Sequence, residues 1–77
     1  MVHQTLVFLA RSMVEYPDDV RVDESPGDRG TIYHLHVHPD DIGRVIGRGG
    51  RMARSIRQVA RAAAAREDVF AIIEIGD

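Results

Sequence analysis

The chain has 77 residues, no cysteine and a formal net charge of −2. Its length suits a single domain, and the lack of cysteine excludes disulfides and thiolate metal sites. The sequence has no apolar run of membrane-spanning length and no basic-then-apolar leader, so we expect a cytoplasmic protein.

The small net charge conceals a strong segregation of charge along the chain. Residues 42–66 contain seven arginines and no acid, whereas the remaining residues contain three arginines and all twelve acids. The local balance is therefore +7 in that segment and −9 outside it. Such a pattern favours a protein that attracts polyanions at one face.

Helical spacing of apolar residues predicts a first helix from Val2 to Met13. Phe8 falls outside its buried stripe and is expected to be partly exposed. Tyr16-Pro17-Asp18-Asp19 ends the pattern, because proline cannot extend a helix and restricts the residue before it. The residues of the predicted stripe are Val2, Leu6, Leu9, Ala10 and Met13.

Two short alternating segments predict a hairpin. The first strand covers Val20 to Asp23, the turn covers Glu24 to Gly30, and the second strand covers Thr31 to His38. One face of the second strand would carry Tyr33, Leu35 and Val37, and the other Ile32, His34, His36 and His38.

The second half predicts two helices and a last strand. A short helix runs from Pro39 to about Ile46, with Asp40 and Asp41 favourable in its first turn. After the break at Gly47–Gly50, a third helix covers Arg51–Arg66 and a strand covers Val69–Ile75. The predicted order is α-β-β-α-α-β. The third helix would bury a stripe of Met52, Ala53, Ile56, Val59, Ala60 and Ala63.

The four-residue break has the composition of an anion site. Glycines permit a sharp turn and leave no side chain in the way of a ligand. The first turn of the third helix has backbone N–H groups without intrahelical partners, and the helix dipole adds to their pull on anions. Because Arg48 and Arg51 lie at the loop and Arg44 just before it, a phosphate is the expected ligand.

Further arginines indicate a polymer. Arg54, Arg57 and Arg61 recur at i, i+3 and i+7, and a helical projection puts them roughly opposite the apolar stripe. Two structural readings remain open, a plain helix–helix turn and an ordinary solvated face. A Walker loop is excluded because the chain has no lysine, and a dinucleotide fingerprint because Met52 occupies the third glycine position.

The segment Ile42–Ile56, IGRVIGRGGRMARSI, resembles the core of a KH domain, whose helix–GxxG–helix element clamps about four single-stranded nucleotides. The order of elements resembles the type II arrangement, and the chain is similar to small single-KH bacterial RNA-binding proteins of the KhpA/YlqC group. The resemblance implies one KH domain over residues 1–77, an α+β fold with three helices on one face of a three-stranded mixed sheet.

By this resemblance, the loop holds the nucleic-acid backbone, and Ile42, Val45, Ile46 and Ile56 shape or support an apolar groove for bases. With the arginines near the loop, the candidate RNA-binding residues are Gly47, Arg48, Gly49, Gly50, Arg51, Arg44, Arg54, Ile42, Val45 and Ile46. No aromatic residue lies in 42–66, so stacking on rings is not available there and binding should be weak and salt-dependent.

The resemblance implies an RNA chaperone or post-transcriptional regulator that dimerises with itself or with a second KH-containing RNA-binding protein. Two alternatives remain: a protein-interaction or dimerisation module whose GxxG is structural, and single-stranded DNA binding. We expect neither catalysis nor a cofactor. Alternate histidines such as His34 and His36 can bind metals, but a solvated sheet face is the favoured interpretation. Phe70 and Ile72 should emerge on that same face, where they could mark a partner surface.

Overall fold

The computed structural model describes residues 1–77. Its helices are α1 (Val2–Met13), α2 (Ile42–Ile46) and α3 (Arg51–Ala65). Its strands are β1 (Arg21–Pro26), β2 (Thr31–His36) and β3 (Ala71–Gly76). Short 3₁₀ turns cover 17–19, 39–41 and 48–50. The predicted order α-β-β-α-α-β is confirmed.

The three strands form one mixed sheet in the order β1-β2-β3. β1 and β2 pair as the predicted antiparallel hairpin, with Val22 opposite Leu35. β2 and β3 run parallel, with His34 opposite Glu74. A parallel pair needs a long crossover, and here α2 and α3 supply it.

The core lies between the helices and one face of the sheet. Alternation along β2 places Tyr33 and Leu35 in it, as the sequence predicted, and Val37 follows on the same side. Helix α1 contributes Val2, Leu6 and Ala10 of its predicted stripe to the core, and Met13 packs at the margin. The prediction was wrong for Leu9, which is half-buried and lies outside the core cluster. Phe8 is 71% exposed, also as predicted.

Several predicted boundaries differ from the structure. β1 continues to Pro26, three residues beyond the predicted end at Asp23, because an edge strand tolerates a residue without an N–H. β2 ends at His36 rather than His38. β3 begins at Ala71 rather than Val69, after Asp68 takes a positive φ of 56°.

The predicted buried stripe of α3 is only partly right. Ala53, Ile56, Ala60 and Ala63 are buried, and Ala64 joins them. Met52 and Val59 lie at the margin of the buried face of α3 and are 39% and 45% exposed. Alanines therefore dominate the contact, which lets α3 approach its neighbours closely.

Candidate nucleic-acid interface

The loop between α2 and α3 is a tight corner built on three glycines with positive φ. Gly47 has φ 77°, Gly49 has φ 65° and Gly50 has φ 77°. Two backbone bonds define the corner: the Gly47 N–H donates to the Gly43 carbonyl at 2.9 Å, and the Gly50 N–H donates to the Gly47 carbonyl at 3.1 Å. Residues other than glycine rarely adopt a positive φ, so the three glycines determine the shape of the turn.

The glycines differ in what surrounds them. A Cβ added to Gly47 would lie 2.6 Å from the Cβ of Met52, so this glycine is needed for packing inside the corner. A Cβ added to Gly49 or Gly50 would meet nothing within 4 Å. Gly47 therefore closes the turn, whereas Gly49 and Gly50 leave the outer side of the loop accessible to a ligand.

The start of α3 is not capped by any side chain. Gly50 occupies the N-cap position in the left-handed conformation and has no side chain to accept from the first-turn amides. Those amides and the positive end of the helix dipole favour an anion at this point. Arg48 and Arg51 are both exposed beside it. The Gly50 and Arg51 N–H groups donate to the Gly47 and Arg48 carbonyls, so the corner offers an anion its open backbone, the positive end of the helix dipole and permanent positive charge.

Most arginines of the 42–66 segment have no acidic partner. The seven ion pairs of the structure involve only two arginines, Arg21 and Arg44. Arg44 lies 3.5 Å from the Glu15 carboxylate and 3.4 Å from that of Asp41, so its charge is balanced within the protein. The other six arginines keep their charge available to an external anion.

The predicted arginine stripe does not lie opposite the buried face of α3. The Nε of Arg57 donates to the Ile73 carbonyl at 3.2 Å, and the Nε of Arg61 lies 3.5 Å from the Ala71 carbonyl. Both side chains therefore reach down to β3 rather than away from it, and Arg57 is half-buried. Arg54 remains exposed on the same helix. The helical projection was wrong because the centre of the five buried residues, as seen around the helix axis, lies closer to Ala60 than the centre of the predicted stripe.

The predicted apolar residues of α2 have different environments. Val45 is 0% exposed and belongs to the core, so it supports the interface from beneath and cannot contact a ligand. Ile42 packs against the core while remaining half-buried, and Ile46 is also half-buried beside the loop. Ile56 lies on the buried face of α3 and belongs to the core. Of the predicted groove residues, Ile42 and Ile46 retain accessible surface.

Asp41 has a role that the sequence did not reveal. Its carboxylate is completely buried and accepts the backbone N–H groups of Glu15 and Tyr16, each at 3.0 Å. The sequence suggested only a favourable charge at a helix start. The bonds instead join the segment after α1 to the residue that precedes α2, and so fix the helix that leads into the loop.

The outer face of the sheet carries the histidines, as predicted. The Nδ1 of His34 lies 2.9 Å from the Glu74 carboxylate, and the Nε2 of His36 lies 3.1 Å from that of Asp23. These are pairs between one imidazole and one acid, and no three His, Asp or Glu side chains are grouped to hold a metal ion. Phe70 is exposed, and Ile72 lies opposite Ile32 on β2.

The largest surface concavity, of about 830 Å³, is lined entirely by residues outside the segment 42–66. Asp18, Asp19 and Asp77 line it together with His36 and His38. Its acidic lining would repel a phosphate strand.

No helix in the structure is both long enough and apolar enough to span a bilayer.

Comparison with known proteins identifies the family. The KhpA/KhpB KH-domain family matches residues 3–75. RNA-binding protein KhpA of Clostridium acetobutylicum is 44% identical over 72 residues, which cover 94% of this chain and 96% of the relative. RNA-binding protein KhpA of Mycobacterium bovis is 57% identical over 49 residues, which cover 64% of this chain and 61% of the relative.

Two solved structures share the fold at low identity. Aquifex aeolicus Era bound to GDP.AlF4− superimposes with a TM-score of 0.65 at 17% identity, over 97% of this chain and 29% of the Era chain. Era in complex with MgGDPNP and nucleotides 1506–1542 of 16S ribosomal RNA gives a TM-score of 0.63 at 16% identity, with the same coverage. The chain therefore corresponds to less than a third of Era. With a family match over nearly its whole length, the chain belongs to the KhpA/KhpB family of KH domains.

Proposed function

We propose that this chain binds single-stranded RNA by receiving the sugar–phosphate backbone at the loop 47–50 and the start of α3. One observation carries the proposal: an open glycine corner with an uncapped helix start is surrounded by unpaired arginines. Relatives that are 44% and 57% identical are named RNA-binding protein KhpA. The first of them matches across 96% of its own length.

Each residue of the corner has its own role in the proposed contact. Gly49 and Gly50 admit the backbone, and Arg48 and Arg51 neutralise its phosphates at the corner. Arg54 extends the positive charge along α3. Arg44 contributes little to the RNA contact, because Glu15 and Asp41 already balance its charge.

The bound strand is held mainly through its backbone. Segment 42–66 has no aromatic residue, and the exposed aromatic rings Phe8, Tyr16 and Phe70 belong to other elements. Stacking on a ring contributes about 1–3 kcal/mol per base elsewhere, and this contribution is missing at the loop. Affinity is therefore modest, sequence preference is limited, and added salt weakens binding.

We propose a cytoplasmic RNA chaperone or post-transcriptional regulator, without catalytic activity, that acts as a homodimer or with another KH-containing RNA-binding protein. Exposed apolar side chains support a protein partner, since such groups gain by burial at an interface. The large ones are Met1, Phe8, Tyr16, Met52, Val59 and Phe70. Light scattering on the purified chain, alone and mixed with a second KH protein, measures the assembly.

The proposal is tested by a double change at the corner, Arg48→Asp with Gly49→Asp. Aspartate is among the residues that best tolerate positive φ, and the space around Gly49 is open, so the fold is expected to survive. The change adds two negative charges and removes one positive charge where the backbone would lie, so the local charge falls by three units. Retention of a fluorescent single-stranded RNA in an anisotropy titration should be lost.

The matched control is Gln4→Asp with Arg29→Asp, which changes the net charge equally at exposed positions outside the 42–66 segment. It should retain most RNA binding. Equal loss in both variants would mean that net charge alone governs retention, and full retention by the corner variant would support a structural GxxG. Competition with single-stranded DNA of the same sequence, at matched salt, measures selectivity for the 2′-hydroxyl.

A further inference from the structure

The free edge of β3 is the surface of interest. The Phe70 carbonyl accepts from the Thr31 N–H at 2.9 Å, and the Gly76 carbonyl accepts from the Val37 N–H at 3.1 Å, so residues 70 and 76 point toward β2. Because backbone groups alternate along a strand, those of Ala71, Ile73 and Ile75 point away from the sheet. An edge of this kind normally offers amide donors and carbonyl acceptors together.

Two of these carbonyls are already occupied. Arg57 donates its Nε to the Ile73 carbonyl at 3.2 Å, and the Nε of Arg61 lies 3.5 Å from the Ala71 carbonyl. A carbonyl oxygen has a second lone pair. The cationic guanidinium beside it, however, opposes the approach of another donor, whose hydrogen is also positive.

The same arginines keep donors for a ligand. A guanidinium has five N–H donors and no acceptor, so one Nε bond leaves four N–H groups on each side chain. Neither Arg57 nor Arg61 forms an ion pair, and no other side-chain bond competes for those groups. The edge of β3 therefore presents guanidinium and amide donors, with two of its acceptors covered.

This edge lies on the path of a strand that starts at the loop. Arg57 and Arg61 are six and ten residues beyond the first residue of α3, which corresponds to about 9 and 15 Å along the helix. The axis of α3 leads from the glycine corner past both side chains. A strand whose backbone is held at the corner would place its next bases over this surface.

We infer that Arg57 and Arg61 select bases with a carbonyl acceptor at pyrimidine position 4 or purine position 6, so that uracil and guanine are bound in preference to cytosine and adenine. The inference rests on the proposed function and adds base selectivity to it. Uracil presents O4 where cytosine presents an N4 amino group, and guanine presents O6 and N7 where adenine presents an N6 amino group. The amino group of cytosine or adenine is a donor and needs an acceptor. At this edge it would face N–H donors and two carbonyls that already accept a hydrogen bond.

Uridine and cytidine octamers provide the sharpest comparison, because their rings have the same size and differ mainly at position 4. Anisotropy titrations at one salt concentration should give about tenfold tighter binding of the uridine octamer, the size of one good base contact. Arg57→Met with Arg61→Met removes the donors, keeps an unbranched apolar side chain at each position and frees the two carbonyls. This variant should reduce the ratio to within about twofold.

The matched control is Arg54→Met with Arg66→Met, which removes one charge from α3 and one from its C-cap residue without touching the edge contacts. It should weaken both octamers and leave their ratio unchanged. Equal binding of the two octamers by the natural chain, or an unchanged ratio in the Arg57/Arg61 variant, would overturn the inference alone. Failure of the natural chain to bind either octamer would overturn the proposed function, and base selection with it. Circular dichroism melting verifies that each variant is folded.

Discussion

The Cα of Gly47 faces Met52 so closely that a Cβ on Gly47 would lie 2.6 Å from the Cβ of Met52. This contact joins the residue that follows α2 to the first turn of α3. The contact distinguishes Gly47, which shapes the corner, from Gly49 and Gly50, which leave its outer side open.

The first prediction concerns Gly47→Ala. The added methyl collides with Met52 and must also adopt φ 77°, so the free energy of unfolding should fall by about 1–3 kcal/mol. Urea titration followed by circular dichroism measures it. Gly43→Ala is the control, because a Cβ there meets nothing within 4 Å and alanine favours the helix. A Gly47→Ala protein as stable as the natural chain would contradict this account of the corner.

The second prediction concerns Asp41→Ala. Two backbone N–H groups, those of Glu15 and Tyr16, lose a charged acceptor, so stability should fall by about 3 kcal/mol. Asp41→Asn keeps one acceptor oxygen and should lose less. Asp40→Ala, at an exposed neighbour, should change stability by less than about 0.5 kcal/mol. Thermal melts of the three variants rank them, and equal melting of the two alanine variants would refute the role of Asp41.

The sequence predicted most of the fold because its apolar patterns are regular. The bounds of α1 match the structure, and alternation correctly assigned Tyr33, Leu35 and Val37 to the core. The glycine corner was also located correctly, since three glycines in four residues leave few other conformations. Strand ends were less accurate, because edge pairing carries β1 through Pro26 despite its poor propensity.

The parts that sequence missed depend on long-range contacts. Nothing near Asp41 indicates that its carboxylate bonds to residues 15 and 16, and nothing near Arg44 indicates its pairing with Glu15. The bonds of Arg57 and Arg61 to β3 require the position of a strand that lies at least ten residues further on. A helical projection alone treats those arginines as solvated.

The third prediction separates paired from unpaired arginines. For single strands, the slope of log affinity against log salt is about −0.7 for each phosphate neutralised. Arg54→Gln should therefore make the slope shallower by about 0.7, because Arg54 has no acidic partner. Arg44→Gln should change it less, since Glu15 and Asp41 already balance that charge. Anisotropy titrations between dilute and moderate salt give the slopes, and a larger effect of Arg44→Gln would reverse the assignment.

The fourth prediction concerns alkaline pH. Burial raises the pKa of Tyr33 above its usual 10.0, and the nearby charges of Glu24 and Glu67 raise it further. The folded pKa is higher than the unfolded one, so the contribution of Tyr33 to stability is fully present below about pH 10 and is lost as pH rises through the folded value. Stability of Tyr33→Phe should decline less over that range. Urea titrations at pH 8 to 11 measure both proteins, and parallel curves would exclude the effect.

The most direct measurement is an amide NMR titration of the natural chain with a uridine octamer in dilute buffer. We expect the backbone N–H signals of residues 47–51 to shift most, those of β3 at 71–75 to follow, and added salt to reverse both. Signals of residues 47–51 that stay unmoved, or shifts confined to the outer sheet face around His34 and Glu74, would contradict it.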